Sequence, residues 1–388
     1  MSDPKPEFQE VGHSGGRVIF RLQTADDGRR SYSMRWEHCR PVPTAIVGLY
    51  AIPQGVAVGN IEMGGIGTPW NPPPIPGCFS VVLASDTQGK FGHECPDCQG
   101  YWRSGGSVWC CPYCGVRAQR YEFLTEAQRR YVELYCERLR GMFDDGEAEL
   151  VIDMDAVADA VGTSSEKPPF YYAEESQQHQ YACRECGGFN DILGRFGYCT
   201  GCGTRNGFQE LEGTVLKAIR ERINAGDGCE ACAKDAVSAF DTFARQYAHQ
   251  LARRVPLTPR RKSALERMLF HNLEMGAATF KDVFDIDILA RVPDDDAGFL
   301  KLMFHRRHVY EHNGGEADAK YIADSGDISV RLKQTIRETR ETAHRVVGLV
   351  AKVASNLHRG FHELFPPNQP ALDDHKRRKD VMARDGHG

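Results

Sequence analysis

Eight cysteines in two sets of equal spacing constrain this chain more than any other feature of its sequence. Each set has two C-x-x-C pairs separated by twelve residues, and a glycine follows the last cysteine. A C-x-x-C turn directs two thiolates toward one point, and two such turns on opposed hairpins complete a tetrahedral four-sulfur site. The pattern predicts two zinc ribbons, over residues 91–119 and 181–210, with one Zn²⁺ each. The predicted ligands are Cys95, Cys98, Cys111 and Cys114 in the first ribbon and Cys183, Cys186, Cys199 and Cys202 in the second.

Disulfides are the alternative use of the 14 cysteines. A chain of 388 residues can build a core without them, and C-x-x-C pairs in a cytosolic protein favour metal. A closed four-sulfur site has no open coordination position, so both ions are predicted to be structural, contributing on the order of 10 kcal/mol each to folding. Cys229 and Cys232 form a further C-x-x-C pair without a second pair nearby. For it we favour a packing role over a third metal or redox site, which the spacing leaves open.

The sequence leaves a second role of the ribbons open. They either contact nucleic acid or a partner protein, or only stabilise small subdomains. The side chains that would make such contacts are Trp102, Arg103, Trp109, Arg184 and Arg195.

The charge and hydropathy of the chain limit its partners and its location. The net charge is −5, so nucleic-acid binding requires a local basic patch. No run approaches the roughly 18 apolar residues of a membrane helix, and the polar N-terminus lacks the apolar core of a signal peptide. We therefore expect a cytoplasmic protein without membrane association.

Periodicity predicts a multidomain α+β chain. Residues 1–90 are predicted to be a small β domain of unknown role, with short strands between Gly/Pro turns. A helix and an acidic linker follow over 120–180, and the linker is predicted to contain one short helix at Met154–Val161. An antiparallel helical bundle is predicted over 211–365 and a disordered tail over 366–388. The predicted strands are Arg17–Thr24, Ser31–Glu37, Ala45–Ile52, Val56–Ile61 and Phe79–Ala84, and the predicted helical segments are 211–254 with a glycine break, Arg261–Met275, Gly298–His312 and Ile328–Phe365.

The densest chemical signal is the segment 304–315, FHRRHVYEHNGG. Asn313, Gly314 and Gly315 are predicted to end a helix, which places His312 in its last turn. Five residues separate Arg307 from His312, so their side chains diverge by about 140° on a regular helix. They could converge if the last turn loosens, or a second chain could supply the partner group.

Arg307, His308 and His312 resemble the R-x4-6-H motif of HEPN domains, including the polar residue directly after the arginine. The segment 321–327 and the long final helix are also similar to one bacterial branch of that superfamily, and the likeness extends over residues 225–365. It implies an antiparallel bundle that forms a homodimer, and a metal-independent endoribonuclease of bacterial stress or antiphage defence. In that role His312 would transfer protons, Arg307 would bind phosphate oxygens, and His308 would orient RNA or share the proton transfer.

Other interpretations of these residues stay open. The bundle could be a non-catalytic scaffold that binds RNA or protein. His305, His308 and His312 share one helical stripe that could hold a metal, although no fourth ligand is evident. Arg306 is interpreted as a solvated surface charge. A cluster of cations in a predicted turn could bind phosphates, and it comprises Arg253, Arg254, Arg260, Arg261 and Lys262.

Overall fold

Two units make up the part of the chain that the computed structural model describes, namely residues 9–24, 26, 30–38, 41–62, 70–162, 170–173 and 178–385. The first unit comprises Met1–Thr204 and Asn368–Gly388, and the second comprises Arg205–Pro367. The predicted α+β composition is confirmed, with small sheets in the N-terminal part and helices in the C-terminal part.

The described strands of the first unit pair in antiparallel fashion. They are β1 (Gln9–Glu10), β2 (Arg17–Thr24), β3 (Arg30–Glu37), β4 (Ile46–Ala51), β5 (Ala57–Ile61), β6 (Phe79–Ala84), β7 (Phe91–Glu94), β8 (Tyr101–Ser104), β9 (Glu149–Asp153), β10 (Tyr172–Ala173), β11 (Gln178–Ala182) and β12 (Phe189–Leu193). Their sheets have the orders β3-β2-β9, β5-β4-β6 and β11-β12-β8-β7, and β1 pairs with β10. The five strands predicted before residue 90 are confirmed to within one residue at each end.

One apolar core joins the sheets β3-β2-β9 and β5-β4-β6 to helix α1 (Glu126–Asp145). Buried residues recur along α1 at helical spacing, as at Tyr131, Tyr135 and Leu139, because an amphipathic helix buries one stripe. The stripe packs with Phe20 of β2 and with the fully buried strand β6.

Within residues 120–180, the short helix predicted at Met154–Val161 is confirmed, but the prediction of a linker was wrong where strand β9 forms. Strand β9 pairs with β2, and Ile152 on β9 belongs to the same core as Met154 and Val157 of helix α2 (Met154–Ala160). The acidic composition of the segment hid β9, because its partner strand β2 is distant in sequence. Residues 163–169 and 174–177 of the predicted linker lie outside the described residues.

The two cysteine-rich segments share one four-stranded sheet, since β8 of the first pairs with β12 of the second. The pairing of the two segments has local two-fold symmetry. Arg103 lies opposite Asp191, and each of these residues is five positions after the second cysteine of its segment. Cys110 N donates to Thr200 O at 3.2 Å, and Tyr198 N donates in the equivalent way to Pro112 O at 2.8 Å. The segments therefore form one structural unit, which the sequence had suggested only as a weak repeat.

The described helices of the second unit are α3 (Gly207–Glu210), α4 (Lys217–Ala225), α5 (Cys229–Arg254), α6 (Pro259–Glu266), α7 (Leu273–Phe284), α8 (Asp294–His312), α9 (Ala319–Ser325) and α10 (Arg340–Leu364). A π-helical segment, Leu211–Leu216, joins α3 to α4. The helix α5 packs against α10 and α8 along buried aromatic and aliphatic residues. The fold thus holds α8, with the sequence motif near its end, against the longest helix of the unit.

Two predicted helices differ from the structure. The segment predicted as one helix over Arg261–Met275 is divided between α6 and α7, because the Asn272 side chain accepts from Met275 N and starts a new helix. The predicted helix Ile328–Phe365 begins only at Arg340, where Thr339 provides the cap. Local helix-forming composition did not reveal these caps.

The predicted disorder of residues 366–388 was wrong for Gln369–Asp385, which form helix α11. Ala371 and Leu372 pack against the second cysteine cluster, and Asn368 N donates to Cys202 O at 2.8 Å. Because these contacts come from a segment distant in sequence, the polar composition of the tail gave no sign of them. Residues 386–388 lie outside the described part of the chain.

Candidate functional sites

The first four-cysteine set brings its sulfurs together. The Sγ atoms of Cys95 and Cys114 are 3.6 Å apart, and those of Cys98 and Cys111 are 3.7 Å apart. Sulfurs bound at 2.3 Å around a tetrahedral metal lie about 3.8 Å from one another. Burial raises the pKa of the Cys95 thiol to about 11, so a bound cation is needed to keep all four sulfurs ionised at neutral pH. The donor set therefore suits a metal ion.

The second set has the same geometry. The Sγ atoms of Cys183 and Cys202 are 3.8 Å apart, and those of Cys186 and Cys199 are 3.5 Å apart. Within each set all four sulfurs lie within 4.8 Å of one another. The predicted grouping of the eight cysteines into two candidate metal centres is thus confirmed.

The four C-x-x-C turns close in the same way. The residue after each pair has positive φ, 58° at Gln99, 72° at Gly115, 71° at Gly187 and 79° at Gly203. Its N–H donates to the carbonyl of the first cysteine of the pair at 2.7–3.0 Å. Glycine adopts this conformation without strain, which explains its place in three of the four turns.

Two of the predicted contact residues of the ribbons are buried and serve the fold instead. Trp102 and Arg103 are fully buried. The Arg103 guanidinium donates to Asp86 and, at 2.8 Å, to Asp191, so it neutralises two buried carboxylates between the sheets. The prediction that these two residues are available to a partner was wrong, because their burial depends on the pairing of β8 with β12.

The other three candidates reach the surface of the first unit. Arg184 and Arg195 are exposed, and Trp109 is half-buried beneath the Arg117 guanidinium, 4.1 Å from its ring centre. Of the five residues predicted to contact a partner, only Arg184 and Arg195 are therefore exposed on the described surface of the ribbon pair.

Helix α8 presents Arg307 toward α5. Arg307 Nε donates to Ser238 Oγ at 3.1 Å, and one turn later Glu311 pairs with Lys234 at 3.3 Å. The Arg307 guanidinium is therefore held by Ser238 at one edge of α8.

His308 and His312 lie together on a different edge. Their ring centres are 4.6 Å apart, and both side chains are exposed. With Lys301 and His305 they form a stripe at spacings of four, three and four residues. Two imidazoles thus lie side by side in a single chain, whereas the sequence left open whether a second chain supplies the partner group.

The last turn of α8 does not loosen. The helix continues to His312, and Gly314 rather than Asn313 takes the left-handed conformation, with φ of 59°. Arg307 and His312 therefore keep the divergence of about 140° that a regular helix gives. Viewed along the axis of α8, the side chain of His308 points in a direction between those of Arg307 and His312.

A groove of about 340 Å³ opens beside this stripe. Arg307, His308 and His305 are among its lining residues, whereas His312 is not. Sequence reasoning missed His271 and Lys320, which also line it, since they come from the segment before α7 and from α9. No local pattern connects these segments with α8.

The environment of His308 favours its neutral form. Burial lowers the pKa of His308 from 6.5, and the neighbouring His312, Lys320 and Arg307 lower it further, while Asp318 acts in the opposite direction. A histidine with a lowered pKa is ready to accept a proton at neutral pH.

Arg306 is buried, so its interpretation as a solvated charge was wrong. Only 9% of the residue is exposed. Its guanidinium donates to Asp327 and to Glu338, each at 2.9 Å, and to the Tyr321 hydroxyl at 3.3 Å. These partners fix α9 and the segment before α10 against α8, and α9 forms one wall of the groove through Lys320 and Tyr321.

The Asp327→Asn variant is expected to lower the free energy of unfolding by about 3 kcal/mol at pH 7, because Arg306 loses a buried partner. Burial alone would raise the pKa of Asp327, but hydrogen bonds from Ser329, Tyr321 and Arg306 outweigh it and lower this pKa to about 2. The stabilisation is present above the ordinary value of 3.8 and is lost as the pH falls toward 2. Thermal unfolding at pH 7 and pH 3 should show the difference from wild type shrinking, whereas exposed Asp324→Asn should match wild type. Equal stability of Asp327→Asn at pH 7 would contradict the role of this network.

Among the described residues, the groups of three or more side chains whose ligand atoms converge are the two cysteine clusters. His305, His308 and His312 are not such a group, which argues against the histidine metal site. Cys232 is buried, with Sγ 3.9 Å from Asp227 O, and neither it nor Cys229 belongs to a cluster.

Comparison of the chain with protein-family models, with curated proteins and with solved structures finds no match. In the described residues, no helix combines the length and apolar character needed to cross a membrane.

Proposed function

We propose that this chain is a metal-independent HEPN-type endoribonuclease whose chemistry takes place at the end of α8. The observation that carries the proposal is the pair of imidazoles, His308 and His312, whose ring centres are 4.6 Å apart, with His308 and Arg307 both lining a groove of about 340 Å³. An acid and a base in reach of one phosphate are what RNA cleavage requires.

The reaction follows from these three side chains. Neutral His308 takes the proton of a ribose 2′-OH, and the 2′-oxygen attacks the adjacent phosphorus. Protonated His312 gives its proton to the 5′-oxygen as the bond from phosphorus to that oxygen breaks. The products are a 2′,3′-cyclic phosphate and a 5′-OH end. The Arg307 guanidinium stabilises the charge of the pentacoordinate phosphate, since it can donate to two of its oxygens.

We propose Zn²⁺ for both four-cysteine clusters. Four thiolates in tetrahedral arrangement favour zinc among the common divalent ions. Since neither cluster has an open position, the ions hold the ribbon pair together and take no part in catalysis. The exposed arginines of the ribbons, Arg184 and Arg195, would contact substrate or a partner.

The family resemblance extends the proposal to the setting of the protein. It implies a homodimer in the bacterial cytoplasm that halts growth by RNA cleavage during stress or phage infection. The N-terminal β domain would then sense the trigger. A homodimer would bring two copies of the α8 motif to one cleft.

The direct test is incubation of the purified chain with labelled single-stranded RNA in EDTA. Cleavage with 2′,3′-cyclic phosphate ends is expected, and metal analysis after the reaction should still find two zinc ions per chain. Binding of RNA without turnover would instead support the alternative function, a non-catalytic RNA- or protein-binding scaffold. Cleavage that stops in EDTA while both zinc ions remain bound would contradict the metal-independent mechanism.

A further inference from the structure

The end of α5 and the whole of α6 carry a concentration of positive charge that the site on α8 does not use. Residues 253–267 contain six cations and one carboxylate, that of Glu266, in a chain of net charge −5. We call residues 253–267 the basic turn. Its cations are Arg253, Arg254, Arg260, Arg261, Lys262 and Arg267.

Four of these cations form no ion pair with a described carboxylate. Some exposed cations elsewhere in the second unit pair with carboxylates, as Arg345 does with Asp296 at 2.6 Å, and others do not. Among the described residues, no carboxylate forms an ion pair within 4.0 Å of four of the exposed cations in the basic turn. These four are Arg253, Arg260, Arg261 and Lys262.

The backbone of the basic turn is well defined. Thr258 Oγ1 accepts from Arg261 N at 3.4 Å, and Thr258 O accepts from Lys262 N at 3.0 Å. Pro256 and Pro259 restrict the turn further. Cations in the first turn of a helix oppose its dipole, and α6 has three there and no acid. The charges therefore do not serve the stability of α6.

We propose that the basic turn binds the phosphate backbone of RNA, as a docking surface separate from the end of α8. The inference rests on the nuclease function proposed above for the identity of its ligand. Five of the six cations are arginines, whose planar guanidinium can donate to two oxygens of one phosphate. Binding through phosphates is independent of base sequence and weakens with salt.

The length of α5 determines how long an RNA must be to contact both the end of α8 and the basic turn. Ser238, which holds Arg307, and Arg254 are 16 residues apart on α5, which is about 24 Å along a helix. At 3.4 Å per nucleotide of a helical strand, this distance requires on the order of seven nucleotides. A trinucleotide would therefore reach the end of α8 without the basic turn, and a 20-nucleotide RNA would reach both.

The test uses the full chain with His312→Ala, so that RNA stays intact, and a labelled 20-nucleotide RNA in fluorescence anisotropy. The basic-turn variant replaces Arg253, Arg260, Arg261 and Lys262 by glutamine. We expect its affinity to fall about tenfold or more, and the slope of log K against log salt to become shallower by about 3. The matched control makes the same charge change on α11 and replaces Lys376, Arg377, Arg378 and Lys379 by glutamine.

Three results would overturn the inference. One is an equal loss of affinity in both variants, which would reflect net charge alone. Another is wild-type RNA affinity in the basic-turn variant. The third is unchanged RNA affinity together with lost binding to phosphatidylserine vesicles, which would assign the surface to membranes. Circular dichroism should show both variants folded, because all substituted side chains are exposed.

Cleavage assays in the wild-type background separate this inference from the nuclease proposal. With His312 present, the basic-turn variant should cleave a trinucleotide at the wild-type rate and the 20-nucleotide RNA with raised KM. If the wild-type chain binds RNA through the basic turn but never cleaves it, the nuclease proposal fails and the docking surface stands. If cleavage occurs but the basic-turn variant keeps its RNA affinity and KM, only the docking surface fails.

Discussion

Replacement of Cys111 by serine is expected to release the metal of the first cluster and to unfold the ribbon pair as a whole. A structural four-thiolate site contributes on the order of 10 kcal/mol, because the unfolded chain has no preformed site. The second cluster should be weakened as well, since β8 pairs with β12 and Cys110 N and Tyr198 N make equivalent bonds to the opposite segment. If the two ribbons folded independently, the Cys111→Ser variant would lose only the ion of the first cluster.

Metal content and hydrogen exchange measure this effect. The variant should bind fewer than two ions per chain, and amides of both β8 and β12 should lose protection. The matched control is Cys110→Ala, one residue away: its Sγ lies 3.4 Å from Cys199 O but is not a member of the cluster. It should keep two ions and lose only about 1 kcal/mol. A Cys111→Ser chain with full metal content and wild-type melting would refute the assignment of Cys111 as a ligand.

Substitution of either imidazole at the end of α8 is expected to reduce RNA cleavage by about 10²–10⁴-fold, the usual contribution of general acid–base catalysis. His308→Ala removes the proposed base and His312→Ala the proposed acid. Both side chains are exposed, so the fold should remain. The matched control is His344→Ala, a half-buried histidine on α10 that contacts Asn224 at 3.1 Å. Wild-type rates in both α8 variants would exclude this site as the catalytic centre.

The pH profile gives an independent measure of His308. A base must be deprotonated to act, and the pKa of His308 lies below 6.5, so the acidic limb of the profile should fall below that pH. Lys320 lowers this pKa through its charge. Lys320→Gln should therefore move the acidic limb to higher pH, and Asp318→Asn should move it to lower pH. A limb that does not respond to either change would mean that His308 is not the titrating group.

Arg306 and Arg307 illustrate how far the sequence could go. The two arginines are adjacent on one helix. The sequence favoured a functional role for Arg307 and a solvated surface charge for Arg306. The structure buries Arg306 against Asp327 and Glu338, which are 21 and 32 residues away, and holds Arg307 by Ser238, which is 69 residues away. A periodic pattern shows which face a residue occupies, but not what another segment places against that face.

The sequence by itself determined the two four-cysteine clusters, the strands before residue 90 and the end of α8 at His312. Each depends on contacts within a short stretch of chain, such as a C-x-x-C turn, an alternating strand or a glycine after a helix. Only the tertiary structure decided that the ribbons share one sheet, that Arg103 and Arg306 are buried, that Gln369–Asp385 form a helix and that His308 stands beside His312 at a groove. The first three of these depend on partners far apart in sequence, where burial and pairing outweigh composition. The last depends on a helix that stays regular through its final turn, and on the walls of the groove that α9 and the segment before α7 supply.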